Sequence, residues 1–168
     1  MRNTPGWLAS VRPYRVSDRR ALIETMNAVC GEGCWMETRR YIPTLAWEHA
    51  LATPDCPRHH LLLAVADQQP IGWCRIFPVE PTVAEIGIGL RKPYRDRGNG
   101  SQLLHDAIAW ATQARLACLT LTARVDNARA LHVFHKLGFA VTERRDGMVH
   151  MARSLDCSVR HFSLGGPS

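Results

Sequence analysis

Between Tyr94 and Leu104 the chain reads YRDRGNGSQLL, with two arginines and two glycines at the mouth of an amphipathic segment. A helix N-terminus carries unpaired N–H groups and a partial positive charge, so it attracts phosphate. Glycines at 98 and 100 let that backbone approach a ligand with no Cβ in the way, and successive turned amides make an anion-holding concavity. Arg95 and Arg97 would add charge-assisted hydrogen bonds at the rim. The chemistry implied is the cradling of a pyrophosphate. Two other phosphate loops do not fit: a dinucleotide fingerprint needs a third glycine where Leu103 stands, and a Walker loop needs a Gly-Lys-Ser/Thr ending that is missing here. The plainer alternative is a glycine turn that exposes arginine to water.

The preceding segment, TVAEIGIGL, reads as a strand in which Glu85, Gly87 and Gly89 share one face and Ile86, Ile88 and Leu90 the other. Glycines inside a strand often mark close approach of a ligand or another backbone. An acid beside an empty shelf makes Glu85 a candidate general base. The alternative is a glycine-bulged strand with Glu85 exposed or salt-bridged.

These residues need a scaffold. The chain has 168 residues, 46% of them hydrophobic and 21% charged, which is ordinary globular composition and fits one domain. No apolar run approaches the length of a membrane span, and the first residues lack the apolar core of a signal peptide, so a cytoplasmic protein is expected. The net charge of +6 favours an anionic partner, but no Lys/Arg block interleaves with aromatics, so nucleic acid is not expected. The six cysteines are scattered and read as free thiols; Cys30, Cys34, Cys56 and His59 lack the strong zinc spacings, so no metal is expected.

Strands are expected at LASVRPYRV, LLLAVA, IGWCRIF, TVAEIGIGL, ACLTLTARV, FAVTERR and MVHMARSL. Helices are expected at DRRALIETMNAVC, at LAWEHALAT capped by Thr44, from Leu103 through Ala111, and after Asp126-Asn127. Gly138 fits a left-handed stop, and Asp146-Gly147 a hairpin turn. Adjacent strands mixed with strand–helix alternation predict a mixed α/β sheet. A single domain over residues 1–154 is followed by a tail, 155–168, read as loose.

The pattern Arg95-x-x-Gly98-x-Gly100 after a strand resembles the acetyl-CoA loop of the GNAT N-acetyltransferase superfamily. DNARALHVFHKLGF is similar to that family's Asn-x-x-Ala…Lys-Leu-Gly-Phe segment, and the two occur in the right order within residues 10 to 154. The resemblance implies an α+β fold with a mostly antiparallel sheet of about seven strands and helices on both faces. It also implies acetyl-CoA as cosubstrate, with its pantetheine along Ile88, Gly89 and Leu90 and its pyrophosphate on Arg95, Asp96, Arg97, Gly98, Asn99, Gly100 and Ser101. The Leu90 amide would hold the oxyanion, Asn127 and Phe134 would contact cofactor, and Trp35, Glu37 and Tyr41, with Met36 and Trp47, would shape the amine pocket. Asn127 would serve equally as a helix cap.

One departure is informative: Phe134 stands where many members carry a tyrosine that protonates the departing thiolate. If the coenzyme A thiol behaves as a cysteine, leaving unprotonated at pH 7 costs about 2 kcal/mol. His132 and His135 point around the helix from the Leu131/Phe134 stripe and read as surface residues. The implied function is N-acetyl transfer to a primary amine on a small molecule or peptide, by direct attack on the thioester and with a homodimer left open. The alternative is a non-catalytic acetyl-CoA-binding sensor or interaction module.

Overall fold

A computed structural model describes residues 9–33, Met36 and residues 38–155. Trp35, Glu37 and the tail from 156 onward lie outside the described residues. The elements run β1 (Ser10–Pro13), α1 (Arg19–Cys30), α2 (Leu45–Ala52), β2 (His60–Ala66), β3 (Gln69–Glu80), β4 (Val83–Leu90), α3 (Asn99–Gln113), β5 (Cys118–Arg124), α4 (Ala128–Lys136), β6 (Ala140–Arg145) and β7 (Met148–Ser154). Short 3-10 turns occupy Val16–Asp18 and Lys92–Tyr94.

The seven strands form one sheet in the order β1-β2-β3-β4-β5-β7-β6, antiparallel everywhere except between β4 and β5. This is the mixed α/β sheet that the sequence predicts. Two tight turns hold its registers. Asp146 and Gly147 have φ of 52° and 74° between β6 and β7, and Asp67 and Gln68 have φ of 48° and 63° between β2 and β3. Two consecutive left-handed residues give the twist that two-residue hairpins favour.

Helices cover both faces. Because side chains alternate along a strand, β2 sends Leu62 and Ala64 to one face and Leu61 and Leu63 to the other. The first set packs with Leu103, Leu104, Ala107 and Ile108 of α3 and with Phe134 of α4. The second packs with Leu22, Met26 and Val29 of α1, Leu51 of α2, and Tyr14 and Trp73. α2 starts where Thr44 accepts a hydrogen bond from the Trp47 amide at 3.2 Å, and α4 stops before Gly138, whose φ is 89°. Both are the signals that the sequence offers.

Candidate active site

The site begins where the sheet parts. β4 stays paired with β3 as far as Leu90, but it pairs with β5 only through Val83, Ala84 and Glu85. β5 continues instead against β7 up to Arg124. From Ile86 onward one edge of β4 therefore has no neighbouring strand among the described residues. The Arg91 amide donates to the Ile71 carbonyl on β3 at 2.8 Å. Since backbone groups alternate sides along an antiparallel strand, the N–H and C=O groups of Ile88 and Leu90 face the open edge. The Leu90 carbonyl accepts from Arg95 Nε on that side at 2.9 Å.

A groove of about 780 Å³ runs from this edge past the start of α3 to α4. Gly98, at φ 84°, is the N-cap of α3 and has no side chain to bond the first-turn amides; the first helical bond runs from the Gln102 amide to the Gly98 carbonyl at 3.0 Å. A Cβ built on Gly98 or Gly100 would meet no atom of the described residues within 4 Å. The helix thus presents uncapped amides and open space to the groove, the arrangement that favours an anion.

Of the residues expected to hold the cofactor, Ile88, Gly89, Leu90, Arg95, Asp96, Gly98, Gly100, Ser101, Asn127 and Phe134 line this groove. Arg97 and Asn99 do not. Arg97 Nε donates to the Pro93 carbonyl at 3.1 Å. Asn99 is buried, its Oδ1 accepting from the Ala9 amide at 3.1 Å and its Nδ2 donating to the Tyr94 carbonyl at 3.0 Å, so it ties the chain before β1 to the loop. Arg95 lines the groove but is not a free rim cation, because its guanidinium is paired with Glu32 at 2.8 Å. Two cations absent from the sequence-based set also line the groove, Lys92 and Arg129. Arg129 is paired with Asp96 at 3.0 Å, whereas Lys92 has no ion-pair partner among the described residues.

Asn127 is placed for either of its expected parts. It caps α4, accepting from the Ala130 amide at 3.3 Å, and it lines the groove. Phe134 lies buried at the groove's far wall, edge-on to Phe139 at 6.2 Å. His132 and His135 are exposed. The described lining contains no His or Cys. The Cys74 thiol, pushed up to about 12 by burial, is inert in the core.

On the opposite face of β4 the expectation of an empty shelf is corrected. A Cβ on Gly89 would lie 2.2 Å from the Trp73 ring, and one on Gly87 would lie 2.6 Å from Arg75 Nε. Trp73 and Arg75 sit directly across from these glycines on β3 and fill the space. The register is continuous there, so no bulge is involved. Glu85 accepts from Arg75 Nη2 at 2.5 Å and occupies the last rung before β4 and β5 separate. No other partner of Glu85 is found among the described residues.

The Arg75 guanidinium lies 5.0 Å from the centre of the Phe77 ring, and Trp47 of α2 meets Phe77 edge-on at 5.1 Å. Tyr41 packs against Trp47 at 5.9 Å. Its hydroxyl donates to Glu48 at 2.9 Å, and burial together with that carboxylate pushes its pKa up to about 12. Tyr41 therefore stays protonated at neutral pH. Arg75 and Phe77 escape a reading confined to local motifs, since only strand pairing brings Phe77 opposite Glu85 and Arg75 diagonally beside it.

The sheet, the parted strands and the uncapped helix mouth together define an acyltransferase architecture. Residues 22–139 match the family model described as acetyltransferase (GNAT) family, and the chain belongs to that family of acyltransferases. Among solved structures it resembles the GNAT-family acetyltransferase of Streptococcus pneumoniae, with TM-score 0.78 and 22% identity over 86% of this chain and 98% of that one. The yncA protein of Salmonella typhimurium, solved with its cofactor acetyl-CoA, gives 0.76 at 16% identity, covering 95% and 98%. The paia N-acetyltransferase of Thermoplasma acidophilum, in complex with coenzyme A, gives 0.69 at 18%, covering 86% and 98%. A comparison with curated proteins returns no match.

Proposed function

We propose that this protein is an acetyl-CoA-dependent N-acetyltransferase that passes an acetyl group to a primary amine by direct attack on the thioester. The observation that carries the reading is the continuity of the open β4 edge with the uncapped amides of α3 in one groove. Acetyl-CoA supplies a diphosphate for the second and an activated acetyl group for the first. The solved relatives that hold acetyl-CoA or coenzyme A on this fold support the same ligand.

In this reading the amides of Gly98 through Ser101 bind the diphosphate and Lys92 adds charge at the rim. The Leu90 N–H, on the open edge, donates to the carbonyl oxygen as negative charge develops there. Glu85 receives the amine proton through water while Arg75 holds its other side. A direct transfer would span too far, since Leu90 lies five residues on, roughly 17 Å along the strand, so a chain of waters carries the proton. Phe134 gives no proton, so the thiolate is protonated by solvent.

Phe134 and the Arg75–Glu85 pair also favour a second reading, that of a sensor which binds acetyl-CoA without turnover. Titration calorimetry with acetyl-CoA, followed by thiol release over a panel of amines and peptides, separates the two. Binding with turnover supports the enzyme, and binding with silence across the panel supports the sensor. No binding eliminates both.

A further inference from the structure

Away from the groove, a second cluster of chemically capable side chains gathers where α2 runs into β2. One ring nitrogen of His49, Sγ of Cys56 and one ring nitrogen of His59 lie within 4.8 Å of one another. The three belong to one short stretch, His49-x6-Cys56-x2-His59. His49 sits in the last turn of α2 and Cys56 in the turn after it, where the Cys56 amide donates to the Thr53 carbonyl at 3.2 Å. His59 immediately precedes β2.

His59 is the residue that asks for a ligand. It is only 4% exposed, yet its Nε2 has no hydrogen-bond partner among the described residues. That nitrogen belongs to the ring that the fold brings beside His49 and Cys56, so its lone pair is available to a metal held between the three. A buried polar atom left unpaired is otherwise costly. The His49 ring faces the His59 ring edge-on at 5.0 Å, and Phe77 closes another side at 6.3 Å.

We infer that His49, Cys56 and His59 form a binding site for one divalent transition metal of the zinc type. Two imidazoles and a thiolate are the borderline-soft donor set that zinc prefers over calcium or magnesium. Tetrahedral bonds of about 2.0–2.3 Å place ligand atoms roughly 3.3–3.8 Å apart. Closure from 4.8 Å asks for about 1 Å of movement, which the exposed His49 side chain and the half-buried Cys56 supply by rotation. Among the described residues no fourth His, Cys, Asp or Glu joins the group, so water completes the coordination.

The group differs from the one weighed on cysteine spacing in having His49 where that one had Cys30 and Cys34. The metal clasps the end of α2 to the entry of β2, and so fixes the helix that carries Trp47 onto Phe77. This inference is independent of acetyl transfer.

The test uses the full-length protein, stripped of metal by chelation and titrated with cobalt(II) as a spectroscopic stand-in for zinc. One equivalent should give the visible bands of tetrahedral cobalt and a thiolate-to-metal charge-transfer band, both erased by added zinc chloride. Zinc should also raise Tm. Cys56→Ser should abolish the charge-transfer band and weaken zinc binding by at least ~100-fold, since loss of even a residue behind a ligand costs about 10–100-fold. His49→Ala, at an exposed position that cannot disturb the core, should weaken binding similarly and cancel the zinc-induced Tm shift. Absence of the charge-transfer band in the unaltered protein overturns the inference. So does a band of the same strength in both variants, which would place the metal on other cysteines.

Discussion

At the scale of single residues, Glu85 carries the sharpest prediction. If it takes the amine proton, Glu85→Gln lowers kcat/KM far more on a lysine-like amine than on an α-amine, because the two differ by about 3 kcal/mol in the cost of deprotonation at pH 7. Steady-state thiol release against both amines, repeated from pH 6.5 to 9, reads the difference. Equal losses on both would remove Glu85 from proton transfer. Phe134 allows the converse test. Phe134→Tyr places a hydroxyl at the wall of the groove, and thiolate departure without a proton costs about 2 kcal/mol, so kcat should rise at pH 7 by up to roughly 30-fold. An unchanged kcat with an unchanged Tm would mean that thiolate departure does not limit the rate. Residues of this kind are only half legible in a sequence. The glycines of the loop announce the cradle, but nothing near Arg95 in the chain says that Glu32 already holds its guanidinium. The shelf beside Glu85 misleads for the same reason, because Trp73 and Arg75 arrive from another strand.

At the scale of elements, two glycines separate folding from binding. Gly100 lies in the first turn of α3, with no atom of the described residues within 4 Å of an added Cβ. Gly100→Ala should leave Tm unchanged or raised, since alanine is the better helix former by about 1 kcal/mol. It should nevertheless weaken acetyl-CoA binding about tenfold, equivalent to ~1.4 kcal/mol. Gly89→Ala drives a methyl into Trp73 and should destabilise the fold by about 1–3 kcal/mol or more. Calorimetric titration and thermal melts on the pair check both halves; loss of stability in Gly100→Ala would contradict the open cradle.

The junction of β1 with α1 supplies a pH signature. Asp18 accepts two hydrogen bonds from Arg12, both at 2.8 Å, and one from the Arg15 amide, also at 2.8 Å. The Arg12 guanidinium, despite the opposing effect of burial, holds the Asp18 carboxyl below its ordinary value of 3.8. A lowered carboxylate stabilises the fold above its unfolded pKa and ceases to do so as pH falls through the folded one. Asp18→Asn should therefore cost about 1–2 kcal/mol at pH 7. The gap should close as pH falls below 3.8, in melts run from pH 7 to pH 2. The elements themselves are legible because each carries its own punctuation. Thr44 and Asn127 cap their helices and Asp146-Gly147 turns its hairpin. The Asp67-Gln68 turn is harder to type, since both residues adopt positive φ without glycine.

For the whole molecule, strand order is the part that local patterns leave open. Hydrophobic alternation finds the strands, but it does not say that β7 inserts between β5 and β6 or that β4 and β5 meet over three rungs. That narrow junction makes the sheet resemble two plates sharing a short hinge. An acyl donor lying in the gap would act as mortar between them. A ligand held by the native state alone adds about 2.7 kcal/mol of stability at a hundredfold excess over Kd. The protein's resistance to proteolysis should then rise and fall with the supply of its own donor, a dependence that digestion with and without acetyl-CoA would reveal. Scarcity of the donor would shorten the life of the catalyst as well as slow its work.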